Sequence, residues 1–238
     1  MSLRRAAHAK PAAPPTTGAH SLAQRARHEL AGYAEAVGPT APTLCDGWQV
    51  ADLIAHLYVR EHRPTALVGI TGGMFAHVAE DEMRRVLTDR GFDALLNSVA
   101  TGPPKLLARF DSKINTLEYL VHGEDIRRAN PNTPLAPMDV TYADREEIAG
   151  YFGAACAFLS APNDQLTYLQ ATDIHRRERT LRQRPTWVLG SEREHRQQGY
   201  QHDTVRRVRG PVRELVLYAF GRRAVADVVI TRANRAGQ

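Results

Sequence analysis

The sequence predicts an α+β protein in which a four-helix bundle is followed by a small α+β domain. Up to about residue 160, apolar residues recur at helical spacing between breaks rich in proline and glycine. After Pro162 the pattern changes to short runs that contain β-branched residues. No internal repeat is present. We therefore expect a disordered leader over residues 1–20, the bundle over residues 21–160 and the small domain over residues 161–238.

The first two helices are bounded by residues that break helices. Helical spacing of apolar residues runs from Ser21 to about Ala36, and the segment at 38–42, Gly-Pro-Thr-Ala-Pro, ends this helix. A second helix begins after Trp48. It must stop near Pro64, because proline disfavours helical geometry in the residue before it.

The remaining helices of the bundle follow the same spacing. Two short helical patterns lie around Gly91, within Ala79 to Val99. A third long helix is predicted from about Leu106 to Ala129, between pairs of prolines. The fourth, from Thr141 to Ser160, has one apolar stripe made of Ile148, Phe152, Cys156 and Leu159.

The C-terminal third of the chain has a different pattern. Short strands are predicted at Leu166 to Ala171, at Thr186 to Leu189 and at Thr204 to Val208. A helix then opens at Gly210-Pro211 and runs to about Phe220, since proline favours the first helical turn. We expect Val225 to Ile230 to form the last strand.

The composition is that of an ordinary globular protein, with 43% hydrophobic and 24% charged residues. Without a long apolar run or a signal peptide, we expect no membrane association and a cytoplasmic location. The net charge of +5 comes without interleaved aromatic residues, so we expect no nucleic-acid binding. The two cysteines make no disulfide scaffold, and we expect Cys45 to be a small buried residue.

Two histidines and one glutamate form the strongest candidate site. Glu118 and His122 are four residues apart, so both side chains lie on one face of the third long helix. His56 lies in the second helix. Together they would make a three-ligand metal site with positions left open, as in catalytic zinc sites. Zinc is the first choice, although nickel, iron and manganese accept the same donors.

Two carboxylates suit a supporting role at this site. Asp125 lies three residues beyond His122, and Asp52 lies four residues before His56. Each can therefore share a helix face with its histidine and accept the imidazole N–H. Asp125 and Glu124 are also the nearby candidates for the general base of a metal-dependent hydrolase.

Three motifs resemble one family. Residues 44–57 read LCDGWQVADLIAHL, residues 117–128 read LEYLVHGEDIRR and residues 210–223 read GPVRELVLYAFGRR. In order and spacing they resemble the signatures of the mycothiol-dependent maleylpyruvate isomerase-like proteins, which belong to the DinB-like superfamily. Gln49 stands where the signature has threonine, which is a better helix cap.

The resemblance implies a DinB-like four-helix bundle followed by a small α/β domain that is sterol-carrier-like. It implies that His56, Glu118 and His122 hold a divalent metal, usually zinc. Arg222 would reach toward the metal and hold an anionic substrate or the thiol. The cofactor or co-substrate would be mycothiol, which the metal activates as a thiolate for attack on a small electrophile.

Several functions are compatible with these residues. The first is a mycothiol-dependent transferase or isomerase, with Arg222 and Asp125 in catalytic roles and Arg60 and Arg222 binding the thiol. Arginine pairs well with carboxylates, so a small anionic electrophile would suit Arg60, Arg63, Arg127 and Arg222. The alternatives are a non-catalytic metal-binding or stress-associated DinB-like protein, and a hydrolase that uses metal-bound water. A homodimer is also compatible with the sequence.

Overall fold

The computed structural model describes residues 20–62, 76–102, 114–159, 166–177, 182–183, 186–190 and 204–234. Most of the predicted leader, Arg63 and the first part of the third long helix lie outside these ranges. Much of the arginine-rich stretch between residues 176 and 209 lies outside them as well.

Seven α-helices lie within the described residues. They are α1 (Leu22–Val37), α2 (Val50–His62), α3 (Ala76–Arg90), α4 (Phe92–Thr101), α5 (Ile114–Ala129), α6 (Tyr142–Ala155) and α7 (Val212–Ala219). Helix α1 packs against α4 and α5, and α2 packs against α3 and α4. The four-helix prediction did not count α3 and α4, although α4 contacts both α1 and α2.

A four-stranded sheet follows the N-terminal helices. Its strands are β1 (Thr167–Ala171), β4 (Thr186–Leu189), β5 (Thr204–Gly210) and β6 (Val229–Asn234), in the order β4-β1-β5-β6. Strands β1 and β5 are parallel, and both outer pairs are antiparallel. A separate two-stranded ladder joins β2 (Arg176–Arg177) and β3 (Arg182–Gln183). The predicted mixture of helices and strands is confirmed.

The prediction for the last strand was wrong in its position. Strand β6 begins at Val229, because residues 223–225 form a turn and residues 226–228 do not pair in the sheet. The N–H groups of Val225 and Ala226 donate to the carbonyl of Arg222, and the N–H of Asp227 donates to the carboxylate of Glu214. These bonds satisfy the backbone locally, so the β-branched residues before Val229 do not pair in the sheet.

One hydrophobic core extends from the helices into the sheet. It includes Leu30, Leu57 and Ile126 from the helices and Leu169 and Val208 from the sheet. Helix α6 connects the two parts, since it packs against both α5 and α7. None of the described helices is long and apolar enough to cross a membrane.

Helix α2 begins with a poor side-chain cap, and the preceding loop compensates for it. The backbone N–H of Gln49 donates to the Asp52 carboxylate at 2.9 Å. The N–H groups of Val50 and Ala51 donate to carbonyls of the loop after α1, at 3.0 and 2.9 Å. These bonds satisfy donors that would otherwise be unpaired in the first turn of a helix. The start of α2, and with it the rotation of the helix, is therefore set without a threonine cap.

A buried polar cluster holds α2 beside α5. Arg27 of α1 donates to both carboxylate oxygens of Glu61 at 2.9 and 2.8 Å, and to the carbonyl of Val99 at 2.6 Å. The hydroxyl of Tyr119, on α5, contacts both Arg27 and Glu61. The side chains of Arg27 and Glu61 are only 4% and 1% exposed. At this depth, the loss of either charged partner is strongly destabilising, because it breaks a buried ion pair.

We expect Arg27→Met to lower the free energy of unfolding by about 3–5 kcal/mol, because the buried Glu61 would lose the cation that bonds both of its carboxylate oxygens. Chemical denaturation would measure the loss. The matched control is Arg84→Met, which removes an exposed partner of Asp81 and should change stability by less than about 0.5 kcal/mol. Equal losses in the two variants would contradict a central role for the buried pair.

Candidate metal centre

Helices α2 and α5 bring the three predicted ligands together. His56 lies on α2, and Glu118 and His122 lie one turn apart on α5. One donor atom from each lies within 4.8 Å of the other two. The two imidazole rings meet edge to face, with their centroids 5.5 Å apart. This spacing leaves room for a cation among two nitrogens and one carboxylate.

The surroundings of His56 favour its neutral form. Its ring is nearly buried and lies beside the indole of Trp48, with a centroid distance of 5.1 Å. Burial, together with the charge of His122, lowers the pKa of His56 to about 3. A neutral imidazole keeps a free lone pair, which is the form that binds a metal.

Glu118 and His122 are coupled across one helical turn. Their nearest atoms, Glu118 Oε2 and His122 Nε2, are 3.3 Å apart. Burial opposes ionisation of Glu118, but the hydrogen bond from His122 and the charge of Arg60 lower its pKa to about 2. Burial also disfavours the charged imidazole, but contacts with Asp125, Cys45 and Glu118 raise the pKa of His122 well above its ordinary value. The ionised Glu118 therefore places negative charge beside Nε2 of His122.

Asp125 orients the imidazole of His122. Its Oδ2 lies 2.9 Å from Nδ1 of His122, and the carboxylate is fully buried. Burial alone would raise the pKa of Asp125, but hydrogen bonds from His122 and Arg222 lower it to about 2. An ionised carboxylate can only accept, so Nδ1 carries a proton. A metal would bind at Nε2, in place of the proton that Nε2 otherwise donates to Glu118. The predicted role of Asp125 beside His122 fits this geometry.

The turn after α7 brings Arg222 to the same carboxylate. Gly221 ends the helix with φ 92°, a conformation that glycine adopts without strain. The N–H groups of Gly221 and Arg222 donate to Tyr218 and Leu217 carbonyls, the pattern of a Schellman cap. The Nε–H of Arg222 then donates a hydrogen bond to Oδ1 of Asp125 at 2.8 Å, and its Nη2–H donates to Oδ2 at 2.6 Å.

A second group of metal-type donors consists of Cys45, His122 and Asp125. The guanidinium of Arg222 already supplies its positive charge, with Nη2 2.6 Å from Asp125 and 3.2 Å from Cys45 Sγ. A metal cation at this position would be repelled by the guanidinium of Arg222, and Nδ1 of His122 carries a proton and so offers it no lone pair. The donor set that fits a divalent metal is therefore His56, Glu118 and His122.

A cavity of about 550 Å³ opens beside this donor set. His56 and His122 form part of its wall, together with Arg222. Apolar and small residues make most of the remainder, with one acidic residue: Leu44, Cys45, Asp46, Trp48, Gly221, Ala224 and Val225. A small molecule in this cavity would reach a metal held by the two histidines.

The other candidate residues lie in different places. Arg60 does not line the cavity; its Nη1 lies 3.3 Å from Glu118, and its Nε donates to Asn115. Arg127 is paired with Glu124 on the same helix. The prediction for Asp52 was wrong, because its carboxylate accepts the N–H of Gln49 at the start of α2.

Sequence reasoning misjudged Cys45. We expected a small buried residue, but its side chain is half-buried and lines the cavity. The available signal was its position three residues before Trp48, in the loop that leads into the helix of His56. That loop is held at the site, since the N–H of Leu44 donates to the backbone carbonyl of Asp125 at 3.2 Å.

Comparison with known proteins supports the resemblance. The family model described as the mycothiol maleylpyruvate isomerase N-terminal domain matches residues 19–118. The predicted resemblance is thereby confirmed for this part of the chain, which contains His56 and ends at Glu118. His122, Asp125 and Arg222 lie beyond the matched range. Searches of curated proteins and of solved structures gave no match.

We expect Asp125→Asn to weaken metal affinity by about 10–100-fold, because the amide does not hold the Nδ1 proton of His122 as a carboxylate does. Competition with a chromophoric chelator would measure the affinity. Asp52→Asn makes the same chemical change at the start of α2, where the amide oxygen can still accept the N–H of Gln49, and this variant should bind metal as the wild type does. Undiminished affinity in Asp125→Asn would contradict ligation through Nε2 of an oriented His122.

Proposed function

We propose that the protein is a metal-dependent enzyme that uses a low-molecular-weight thiol, mycothiol, in a transferase or isomerase reaction on a small electrophile. The observation that carries the proposal is the cavity of about 550 Å³ whose wall contains His56 and His122. The match to the mycothiol maleylpyruvate isomerase N-terminal domain supports the identity of the thiol. We assign zinc as the metal, since it accepts two imidazoles and one carboxylate and leaves a position open.

When bound, a divalent metal would supply Lewis acidity, which lowers the pKa of a thiol at the open position. His56, Glu118 and His122 would hold it. Asp125 keeps His122 in the tautomer that presents Nε2, through the contact at Nδ1 of 2.9 Å. Arg222 keeps Asp125 ionised, because its guanidinium donates hydrogen bonds to both carboxylate oxygens of Asp125.

The cavity wall would bind the thiol and the electrophile. Arg222 lines the cavity, so polar groups of the thiol can approach its guanidinium although that group is paired with Asp125. Trp48 and Leu44 supply an apolar surface that would limit water around the reacting sulfur. We assign Arg60 an indirect part, because it contacts Glu118 at 3.3 Å and supports the charge of that ligand.

Hydrolysis by metal-bound water is less well supported, because neither of the two carboxylates that the sequence offers as its general base suits that role. The pKa of Asp125 is lowered to about 2, which makes this carboxylate a weak proton acceptor. Glu124 is bonded to Arg127, Arg128 and Arg213, and it does not line the cavity. A non-catalytic metal-binding protein remains the competing function, and it differs by lacking affinity for the thiol.

The proposal also covers the fold that the family resemblance implies. The N-terminal helices would correspond to a DinB-like four-helix bundle, and the sheet with α7 would correspond to a sterol-carrier-like domain. The separation into domains at residues 21–160 and 161–238 stays a prediction, as does a homodimer. The choice between isomerase and transferase depends on whether the thiol is regenerated or retained in the product.

We expect the purified wild type to contain near-stoichiometric divalent metal and His122→Ala to contain little, because the variant loses one of three ligands. Elemental mass spectrometry on proteins prepared in parallel would measure this. His28→Ala is the matched control, since His28 is exposed on α1. Absence of metal from the wild type after reconstitution would overturn the proposal.

We expect mycothiol to change the visible absorption of the cobalt-substituted protein, because coordination by sulfur alters the ligand field at the open position. S-methyl mycothiol, which has no ionisable thiol, should produce no comparable change. A spectrum that mycothiol leaves unchanged, in protein that holds cobalt stoichiometrically, would favour the non-catalytic metal-binding function.

A further inference from the structure

The cavity wall carries a thiol of its own. Cys45 lies in the loop between α1 and α2, and its half-buried side chain faces the same cavity as His56 and His122. Its Sγ lies 3.8 Å from Nδ1 of His122. A molecule that fills the cavity therefore meets this sulfur as well as the candidate metal ligands.

Polar contacts hold the sulfur in place. The thiol of Cys45 donates to Oδ2 of Asp125 at 3.3 Å, and Sγ accepts from Nη2 of Arg222 at 3.2 Å. Cysteine that serves only to fill a core has apolar neighbours instead. Here the proton of the thiol faces a carboxylate, and a guanidinium faces the sulfur lone pairs. These contacts hold the sulfur at a fixed position in the cavity wall, where it lies beside any molecule that fills the cavity.

The other cysteine of the chain provides an internal contrast. Cys156 is 7% exposed and belongs to the core, at the end of α6. Burial raises the pKa of Cys156 to about 12. The two cysteines of the chain therefore differ, since Cys45 lines a cavity and Cys156 is buried in the hydrophobic core.

We propose that Cys45 is a site of reversible mixed-disulfide formation with low-molecular-weight disulfides. The identity of the preferred disulfide, the oxidised form of mycothiol, rests on the proposed function of the cavity. Cys45 Sγ attacks one sulfur of the disulfide, the sulfur–sulfur bond breaks, and the displaced thiol leaves with the proton that Cys45 gives up. Cys45 is oxidised and the disulfide is reduced, so no other oxidant is needed.

The adduct would regulate the centre by occupying its cavity. The attached half of the disulfide would lie beside His56 and His122, in the space assigned to the reduced thiol. Excess free thiol reverses the exchange and reopens the cavity. The protein would thus be active when the thiol pool is reduced and blocked when that pool is oxidised.

The test uses the full chain, in metal-free and in zinc-loaded form, with two probes. Mycothiol disulfide tests the preferred reagent, and 2-hydroxyethyl disulfide tests access to the sulfur without assuming any mycothiol recognition. Intact mass and peptide mapping would locate each adduct over time. Cys45→Ser and Cys156→Ser, each verified by circular dichroism, assign the reacting residue independently of the mapping.

We expect both probes to modify Cys45 at least about tenfold faster than Cys156 in the native wild type, and denaturant to remove the difference. Cys45→Ser should show no rapid adduct, and Cys156→Ser should react as the wild type does. Rapid reaction at Cys156, or a native Cys45 that reacts no faster than Cys156, would overturn the proposal. Mapping of the wild type decides this even if a variant folds poorly.

The outcomes separate this inference from the proposed function. If 2-hydroxyethyl disulfide modifies Cys45 and mycothiol disulfide reacts no faster, Cys45 is supported as the modification site. The same result would count against mycothiol as the ligand of the cavity. A preference for mycothiol disulfide, together with at least about tenfold weaker binding of mycothiol by the zinc-loaded adduct, would support both.

Discussion

The buried carboxylate of Asp125 is the group on which the rest of the candidate centre depends. It accepts hydrogen bonds from His122 on its own helix, from Cys45 in the loop before α2, and from Arg222 after α7. Its backbone carbonyl also accepts the N–H of Leu44. A fully buried anion is tolerated only when it is paired and hydrogen-bonded. The burial of Asp125 therefore requires three separate parts of the chain to meet at one point.

A second charged network joins α5 to α7 and so controls where Arg222 lies. Glu124 contacts Arg127, Arg128 and Arg213, and Arg128 continues to Glu214 at 2.6 Å. Arg128 also donates to the carbonyl of Val225, in the turn segment that lines the cavity. Buried charges of this kind have strict geometric requirements. The C-terminal part is thereby placed over the N-terminal helices, and the cavity is formed between them.

A buried polar cluster links the two helices that carry the candidate ligands. The pair of Arg27 and Glu61 joins α1 to α2 at a position five residues beyond His56, and the hydroxyl of Tyr119 connects α5 to this pair. Closer to the cavity, the ring contact between His56 and Trp48 holds the loop against α2. These contacts help to fix the separation of α2 and α5, and a cation would enter a space that is already formed.

The sequence by itself determined the helices between residues 21 and 160, the change to strands after Pro162, the family resemblance and the three ligand candidates. These depend on spacing within single helices and on capping or breaking residues, which act locally. Only the tertiary structure decided the exposure of Cys45, the pairing of Arg222 with Asp125 and the late start of β6. Cys45 meets Asp125 across 80 positions and Arg222 across 177, and such contacts are set by the packing of separate elements. No local pattern encodes them, since burial and ion pairing depend on which elements the whole chain brings together.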